Sequence, residues 1–274
     1  MKGRRDVQTG FPDFGVRHFG RVNGLGLWTL YRRELSRFLR SYPQTLLGPV
    51  IVTLLFLTIF SVALGAGRPT PNGIPFATFM APGLIMMTVI QNAFAHGSSS
   101  IMFSKVQGNI VDLLMPPLSA GEITFGLTMG SATRGIACAA LAALCLWPLA
   151  GLSVAAPWAV LYFTLAGSLI LSLIGIMTGI WADKIDHMAT ITNFVILPLS
   201  YLSGTFYSVA QLPGWIQQFA AFNPFFYLID GLRYGFTGHA DAPPVTGVLV
   251  TAALIGMLWL ACWRMFARGY KLKS

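Results

Sequence analysis

Residues 46–65 read LLGPVIVTLLFLTIFSVALG, twenty consecutive residues without a charge. A helix of about 20 residues crosses the roughly 30 Å hydrocarbon core of a lipid bilayer. Five further apolar stretches of similar length follow, at residues 76–95, 123–147, 157–181, 188–206 and 245–263. The six stretches together contain a single charged residue, Arg134. The sequence therefore predicts an all-α membrane protein with six transmembrane helices.

The composition agrees with this class. Of the 274 residues, 55% are hydrophobic and 10% are charged, and six spans leave no room for a separate catalytic domain. The net charge of +9 would indicate nucleic acid in a soluble protein. Here, however, fifteen Lys and Arg residues lie in the two terminal segments and the connections on their side, against two in the opposite connections. The positive-inside rule therefore places both termini in the cytoplasm, and no nucleic-acid partner is expected. No secretory signal peptide is recognisable.

The segment before the first span contains a basic amphipathic pattern. Residues 1–24 are rich in glycine and charge and predict a loose cytoplasmic tail. Residues 25–41, LGLWTLYRRELSRFLRS, place leucines and aromatics at helical spacing. The charged side chains between them are Arg32, Arg33, Glu34, Arg37 and Arg40. This pattern predicts an interfacial helix on the inner, anionic membrane surface. It is compatible with a membrane anchor and with a docking surface for a cytoplasmic partner.

The connection between the second and third stretches, residues 104–126, carries three helix signals. Asn109–Met115 can form two helical turns, and Pro116-Pro117 stops them. Ser119 and Glu122 have the spacing of a capping box that opens the third span. The connection is thus either a lever or a tight helical hairpin.

The connection before the last span, residues 204–244, is apolar but broken. Pro213-Gly214 and Asn223-Pro224 divide it into pieces at residues 215–222 and 225–236, each too short to span. Both are rich in aromatic residues, which predicts a re-entrant helical pair. Asp230 and Arg233 are three residues apart and can pair on one helix face.

Three motifs resemble a known family. The first is G-x-x-x-x-L-L-x-x-P-L-S-x-x-E at residues 108–122. The second, L-S-G-T-F-Y-S-x-x-x-L-P-x-W, covers residues 202–215. The third, N-P-x-x-Y-x-I-D-G-x-R-Y-G-F, covers residues 223–236. With the interfacial helix and the six spans, they resemble the membrane permease subunit of type-2 ABC exporters, over residues 25–270. These bacterial permeases include nodulation-factor, capsule-export and drug-efflux proteins.

The resemblance implies partners and roles. Such permeases work as dimers, with two separate ATP-binding-cassette subunits that bind ATP and Mg, so this chain itself carries no cofactor and lies in the bacterial inner membrane. A coupling helix, residues 109–118, would dock on that subunit. Its coupling residues would be Asn109, Ile110, Asp112, Leu113, Leu114, Pro117, Ser119 and Glu122. The external gate would include Trp215, Asn223, Pro224, Tyr227, Asp230 and Arg233. Gln107 stands where the family often has a charge, which implies docking by apolar contact.

Two other function classes remain as alternatives. An ion-coupled secondary transporter usually needs an intramembrane acid, and none of the six stretches contains Asp or Glu. A lipid-modifying membrane enzyme needs gathered polar groups, but Asp230, Arg233, His239 and Asp241 form no nucleophile–base arrangement. No G-x-x-x-x-G-K-[ST] phosphate loop is present, so the chain is not expected to hydrolyse ATP. The prediction is an exporter permease for an amphipathic, lipid-like or lipid-linked substrate.

A few isolated residues complete the expectations. Arg134 either faces the bundle or a wet pathway, or snorkels toward the cytoplasm. The four histidines are scattered and are expected at ordinary loop or cap positions, and the three cysteines are expected to pack without metal. Residues 183–187, DKIDH, are interpreted as a solvated turn, with a second docking contact or a protonatable site as alternatives.

Overall fold

A computed structural model describes residues 22–40, 42–65 and 73–272, and this part of the chain is helical without β-strands. Most of the predicted tail, residues 1–24, lies outside the described residues. The helices, in chain order, are α1 (Gly24–Leu39), α2 (Gly48–Gly65), α3 (Phe76–Val106), α4 (Ile110–Leu114), α5 (Ala120–Ala150), α6 (Pro157–Trp181), α7 (Ile185–Ile191), α8 (Leu197–Leu202), α9 (Gly214–Phe222), α10 (Pro224–Thr237) and α11 (Pro244–Arg268).

Five of these helices are long and apolar enough to cross a membrane. They are Pro43–Ala63, which includes a π-helical turn before α2, and then α3, α5, α6 and α11. The predicted stretch 157–181 coincides with α6, whereas α3 and α5 each extend to 31 residues. The apolar pattern marks only the part of a helix that suits hydrocarbon, and helical hydrogen bonding continues into polar residues at the ends.

The fifth predicted stretch, residues 188–206, does not form one long regular helix. It corresponds to α7, a π-helical turn at Thr192–Ile196, and α8, which contain seven, five and six residues. Helix α8 ends at Leu202, four residues before the predicted end, because Gly204 adopts a positive φ of 78°. The count of six spans is therefore not established by helix length.

Helix α3 lies at the centre of the bundle and packs against α2, α5, α6 and α10. Its contact with α6 is close because glycines replace side chains at the crossing. A Cβ on Gly175 would lie 2.5 Å from the carbonyl oxygen of Phe94, and one on Gly179 would lie 2.6 Å from that of Ser98. Small residues permit such backbone approach between membrane helices.

Helix α1 packs along the first half of α5 through two further glycines. A Cβ on Gly126 would meet Leu30 at 2.8 Å, and one on Gly130 would meet the Cβ of Glu34 at 2.5 Å. Leu30 and Phe38 are buried on this side of α1. The predicted amphipathic helix is therefore present, and it is seated on the bundle rather than standing apart from it.

Candidate functional site

Helix α1, helix α4 and the first turn of α5 are joined into one unit, which we call the α1–α4 platform. The predicted capping box is confirmed: the Ser119 hydroxyl accepts from the backbone N–H of Glu122, and the backbone N–H of Ser119 donates to the Glu122 carboxylate at 2.7 Å. The second Glu122 oxygen accepts from the backbone N–H of Asn23 at 2.5 Å. Asn23 caps α1 and donates to the Pro117 carbonyl at 3.3 Å. Glu122 thus ties the starts of two helices together, which the capping pattern alone did not predict.

Helix α4 is shorter than the predicted coupling helix, residues 109–118. Asn109 is its N-cap residue, and the helix ends at Leu114 before Pro116-Pro117. Ile110 and Leu113 are buried inside the chain, so the assignment of Leu113 to an exposed docking surface was wrong. Helical geometry turns these two residues toward the bundle. The exposed apolar side chains of this segment are Val111, Leu114 and Met115.

Glu34 is the buried centre of an ion network between α1 and α3. Its carboxylate lies 3.1 Å from Arg33, 3.0 Å from Arg37 and 3.3 Å from the imidazole of His96, and it accepts from the Ser100 hydroxyl at 2.8 Å. Burial by itself raises the pKa of Glu34, but the His96 imidazole at 3.3 Å and the charges of Arg37 and Arg33 outweigh it, so the pKa falls to about 2. Glu34 is therefore ionised and fixes α1 to α3.

His96 corrects the expectation for the histidines. It lies within α3, is 1% exposed and contacts Glu34, so it is neither a loop nor a cap residue. The sequence carried a weak signal for this position, because His96 and Ser100 are four residues apart and share a helix face.

The arginines of α1 and of its C-cap line a cleft against the end of α3. The cleft has a volume of about 810 Å³. Its basic lining residues are Arg32, Arg33, Arg37 and Arg40, and the facing wall includes Ser104, Gln107, Asn109 and Asp112. Arg32 and Arg40 are exposed and form no ion pair within the described part of the chain.

Arg134 points into the bundle. Its terminal nitrogen donates to the side-chain oxygen of Asn92 on α3 at 3.1 Å, and its Nε is buried. The Arg134 side chain therefore reaches across to α3 and does not extend along α5 toward the cytoplasmic end. The next turn of α5 places Cys138 against the π-helical turn before α2, where its thiol lies 3.5 Å from the Thr45 carbonyl.

At the opposite end of α3, helices α9 and α10 form a second unit, which we call the α9–α10 cap. The predicted ion pair is confirmed, with Asp230 and Arg233 joined at 3.6 Å and both almost fully buried. Arg233 also donates to the carbonyls of Gly204 at 2.5 Å and Phe79 at 3.4 Å, and it stacks on the Phe79 ring. Asp230 accepts from the backbone N–H groups of residues 241 and 242, each at 2.9 Å. The pair therefore joins α10 to α3 and to two loops.

Other predicted residues of this unit have structural roles. Asn223 caps α10 and donates to the Leu199 carbonyl at 3.0 Å and to the Ser203 hydroxyl at 2.8 Å. Pro224 is the first residue of α10, and the Tyr227 hydroxyl donates to the Ala221 carbonyl at 3.0 Å. Trp215 on α9 is 65% exposed. Asn223 thus fixes the cap to α8, whereas Trp215 is on the surface.

Asp241 is a residue that sequence reasoning did not place in this unit. Its carboxylate accepts from the Ser208 hydroxyl at 2.8 Å and from the backbone N–H of Val209 at 2.8 Å. Asp230 and Asp241 therefore each hold a neighbouring loop by accepting main-chain bonds. The sequence gives no signal for these bonds, because they depend on two loops meeting in space.

The connection between α6 and α7 is held by two lysines. Lys105 of α3 donates to the carbonyls of Ile180 and Ala182 at 2.8 and 2.7 Å. Lys271 donates to Asp183 at 2.8 Å, and this hydrogen bond lowers the pKa of the exposed Asp183 carboxyl. The expected solvated turn is thus exposed at Asp183 but is bonded to both α3 and the C-terminal segment.

The geometry defines an all-helical membrane protein whose buried polar groups fix one helix to another. A sequence model of the ABC-2 type transporter family matches residues 26–237. The chain belongs to this family. It is therefore a transmembrane transport permease rather than an enzyme, as the sequence motifs predicted.

Two relatives show the range of the similarity. The inner membrane transport permease YadH of Escherichia coli strain K12 is 36% identical over 251 residues, which cover 91% of this chain and 98% of that protein. Nodulation protein J of Rhizobium leguminosarum bv. viciae is 27% identical over 229 residues, which cover 81% of this chain and 85% of that protein. With its apolar helices, this similarity makes the chain a multi-pass inner membrane protein.

Proposed function

We propose that this chain is the permease of an ATP-driven exporter, working as a homodimer with two ATP-binding-cassette subunits. In this arrangement both termini are cytoplasmic, and the sixth span is the run from α7 to α8. Its helical length of about 27 Å is close to the hydrocarbon thickness. Helices α9 and α10 form the re-entrant pair, and the permease domain covers residues 25–270.

The observation that carries the proposal is the pair of hydrogen bonds that the Glu122 carboxylate accepts from main-chain N–H groups. The Glu122 carboxylate accepts from the main-chain N–H groups of both Asn23 and Ser119. Asn23 also donates to the carbonyl of Pro117, which follows α4, so a displacement of α4 would reach α1 and α5 together. The buried Leu113 side chain packs α4 against the rest of the chain. On the same short segment, the exposed apolar side chains are those of Val111, Leu114 and Met115. An exposed apolar patch on a polar loop fits a docking surface for a protein partner. The platform has the form expected of a coupling device.

The α9–α10 cap supports the other half of the proposal. Its buried hub of Asp230 and Arg233 connects α10 to α3, which runs the length of the bundle to the platform. A displacement of α3 would therefore reach the cap. This connection supports a role of the cap as the external gate.

An amphipathic substrate suits the surface of the bundle. An apolar groove of about 380 Å³ between α3, α5 and α6 is lined by aliphatic side chains such as Ile136, Leu161 and Leu165. The exposed aromatics Trp215, Phe219 and Phe222 lie on α9. Acyl chains or apolar ring systems would contact such surfaces favourably.

The experiment tests docking with a co-expressed ATP-binding-cassette subunit. Leu114→Asp combined with Met115→Asp should abolish co-purification and transport, with normal insertion of the permease. The matched control is Tyr270→Asp, another exposed apolar side chain outside the platform, which should leave both unchanged. Unchanged co-purification of the double variant would overturn the coupling assignment. The permease purified alone should show no ATPase activity, and the complex with the added subunit should hydrolyse ATP.

A further inference from the structure

A row of polar side chains winds along α3 through the apolar bundle. Its members recur at every fourth position: Thr88, Asn92, His96, Ser100 and Ser104. The first four are buried, and residues four apart lie along one helix ridge. Their partners come from three other helices, namely Thr53 on α2, Arg134 on α5 and Glu34 on α1. The row therefore leads from the arginine cleft into the middle of the bundle.

Arg134 lies within the bundle and has no counter-ion among the described residues. Its hydrogen bond to Asn92 is to a neutral amide, its Nε has no hydrogen-bond partner, and it takes part in none of the ion pairs of that part of the chain. It lies midway along α5, roughly 20 Å from the first residue of the helix. An arginine at membrane depth stays charged and is costly without a partner.

The neighbouring groups increase the positive charge around this position. Arg37 donates to the carbonyl of His96 at 3.0 Å, and its charge is repelled by that of Arg134. Glu34 is already shared between Arg33, Arg37 and His96. The single negative charge of Glu34 is thus already paired with two guanidinium groups, and the charge of Arg134 adds to the positive excess. An anion beside Arg134 would balance this excess.

We propose that the junction of α3, α5 and the π-helical turn before α2, at Arg134 and Asn92, binds the phosphate-bearing headgroup of an anionic amphiphile. A phosphate accepts bidentate hydrogen bonds from a planar guanidinium. The apolar helices around the site suit acyl chains, whereas a free inorganic anion would lose its hydration there without compensation. A role of this site in transport rests on the proposed exporter function. It assigns a substrate or lipid class to Arg134.

The binding test uses the full chain in nanodiscs of zwitterionic lipid, without the ATP-binding subunit. Three probes are titrated: dioctanoyl phosphatidic acid, dioctanoyl phosphatidylcholine and inorganic phosphate. Affinity is read by native mass spectrometry and by the midpoint of thermal unfolding. We expect phosphatidic acid to bind at least about ten-fold more tightly than phosphatidylcholine, and inorganic phosphate to give no shift. Arg134→Gln should reduce the affinity for phosphatidic acid to that for phosphatidylcholine, whereas the exposed control Arg264→Gln should not.

Asn92→Asp gives a second, independent variant. It places a carboxylate oxygen where the amide oxygen lies 3.1 Å from Arg134, and this internal anion should remove the preference for phosphatidic acid while raising the unfolding midpoint. Equal binding of the two lipids by the wild type, or an unchanged preference in Asn92→Asp or folded Arg134→Gln, would overturn the proposal. Binding of inorganic phosphate as tight as that of phosphatidic acid would overturn the amphiphile assignment. Because no ATP-binding subunit is present, failure of this test leaves the exporter proposal standing, and failure of docking leaves the binding result standing.

Discussion

Neutralising Arg233 should loosen the α9–α10 cap without unfolding the bundle. In Arg233→Gln, Asp230 loses its charged partner at 3.6 Å, and the carbonyls of Gly204 and Phe79 lose their guanidinium donor. Breaking a buried ion pair typically costs about 3–5 kcal/mol. Asp230 keeps two main-chain N–H bonds, so we expect the lower end, about 3 kcal/mol of unfolding free energy. Asp230→Asn, which keeps its size, should cost about 2 kcal/mol because its hydrogen bonds lose the charge.

The double variant Asp230→Asn/Arg233→Gln distinguishes a coupled pair from two separate contacts. If the charges are coupled, its loss should fall short of the sum of the single losses by at least about 1 kcal/mol. The assay is SDS-titrated unfolding in mixed micelles, with Arg264→Gln as the control for an exposed arginine. Export by the assembled complex should fall in each single variant and recover partly in the double variant. Recovery stays partial because the bonds to Gly204 and Phe79 are not restored. Strictly additive losses in both assays would show that Asp230 and Arg233 are not coupled and would refute the proposed role of this pair in the α9–α10 cap.

Three further predictions concern other parts of the chain. Cysteines at Thr9 and Ser274 should be shielded from an impermeant thiol reagent in intact cells, whereas one at Asn72 should react; labelling at Thr9 would contradict the orientation. Gly130→Ala should release α1 from α5, because the new Cβ would lie 2.5 Å from that of Glu34, and faster proteolysis of the α1 segment should report it. The pKa of Glu34 is lowered from 4.5 to about 2, so its stabilisation is complete above pH 4.5 and is lost as the pH falls toward 2. This amounts to about 3 kcal/mol, and the difference in stability between the wild type and Glu34→Gln should shrink over that window, whereas a constant difference would contradict it.

The local features of the fold were predictable where a short pattern is sufficient. The capping box of Ser119 and Glu122, the stop at Pro116-Pro117 and the split of the last connection at Asn223-Pro224 are all present. Each depends on backbone chemistry within four residues, which neighbouring helices do not alter. The i,i+3 pair of Asp230 and Arg233 belongs to the same class.

Exposure and pairing across helices were predicted less well. Leu113 looked like a docking residue, but it is buried, and Glu34 looked like part of a polar face, but it is the buried centre of a network. Both outcomes depend on which helix covers a given face. Helix α1 is turned so that Glu34 meets α3, and no pattern within residues 25–41 specifies that rotation.

Sequence alone determined the class of protein, because uncharged stretches of bilayer length and an asymmetric distribution of basic residues follow from the energetics of transfer into hydrocarbon. Only the tertiary structure decided the partners of the buried polar groups. Glu122 reaches Asn23, Arg134 reaches Asn92, and Asp241 reaches Ser208. The residues of each pair are between 33 and 99 positions apart in the chain. Their contacts exist because helix packing brings distant segments together, and a local pattern carries no information about that distance.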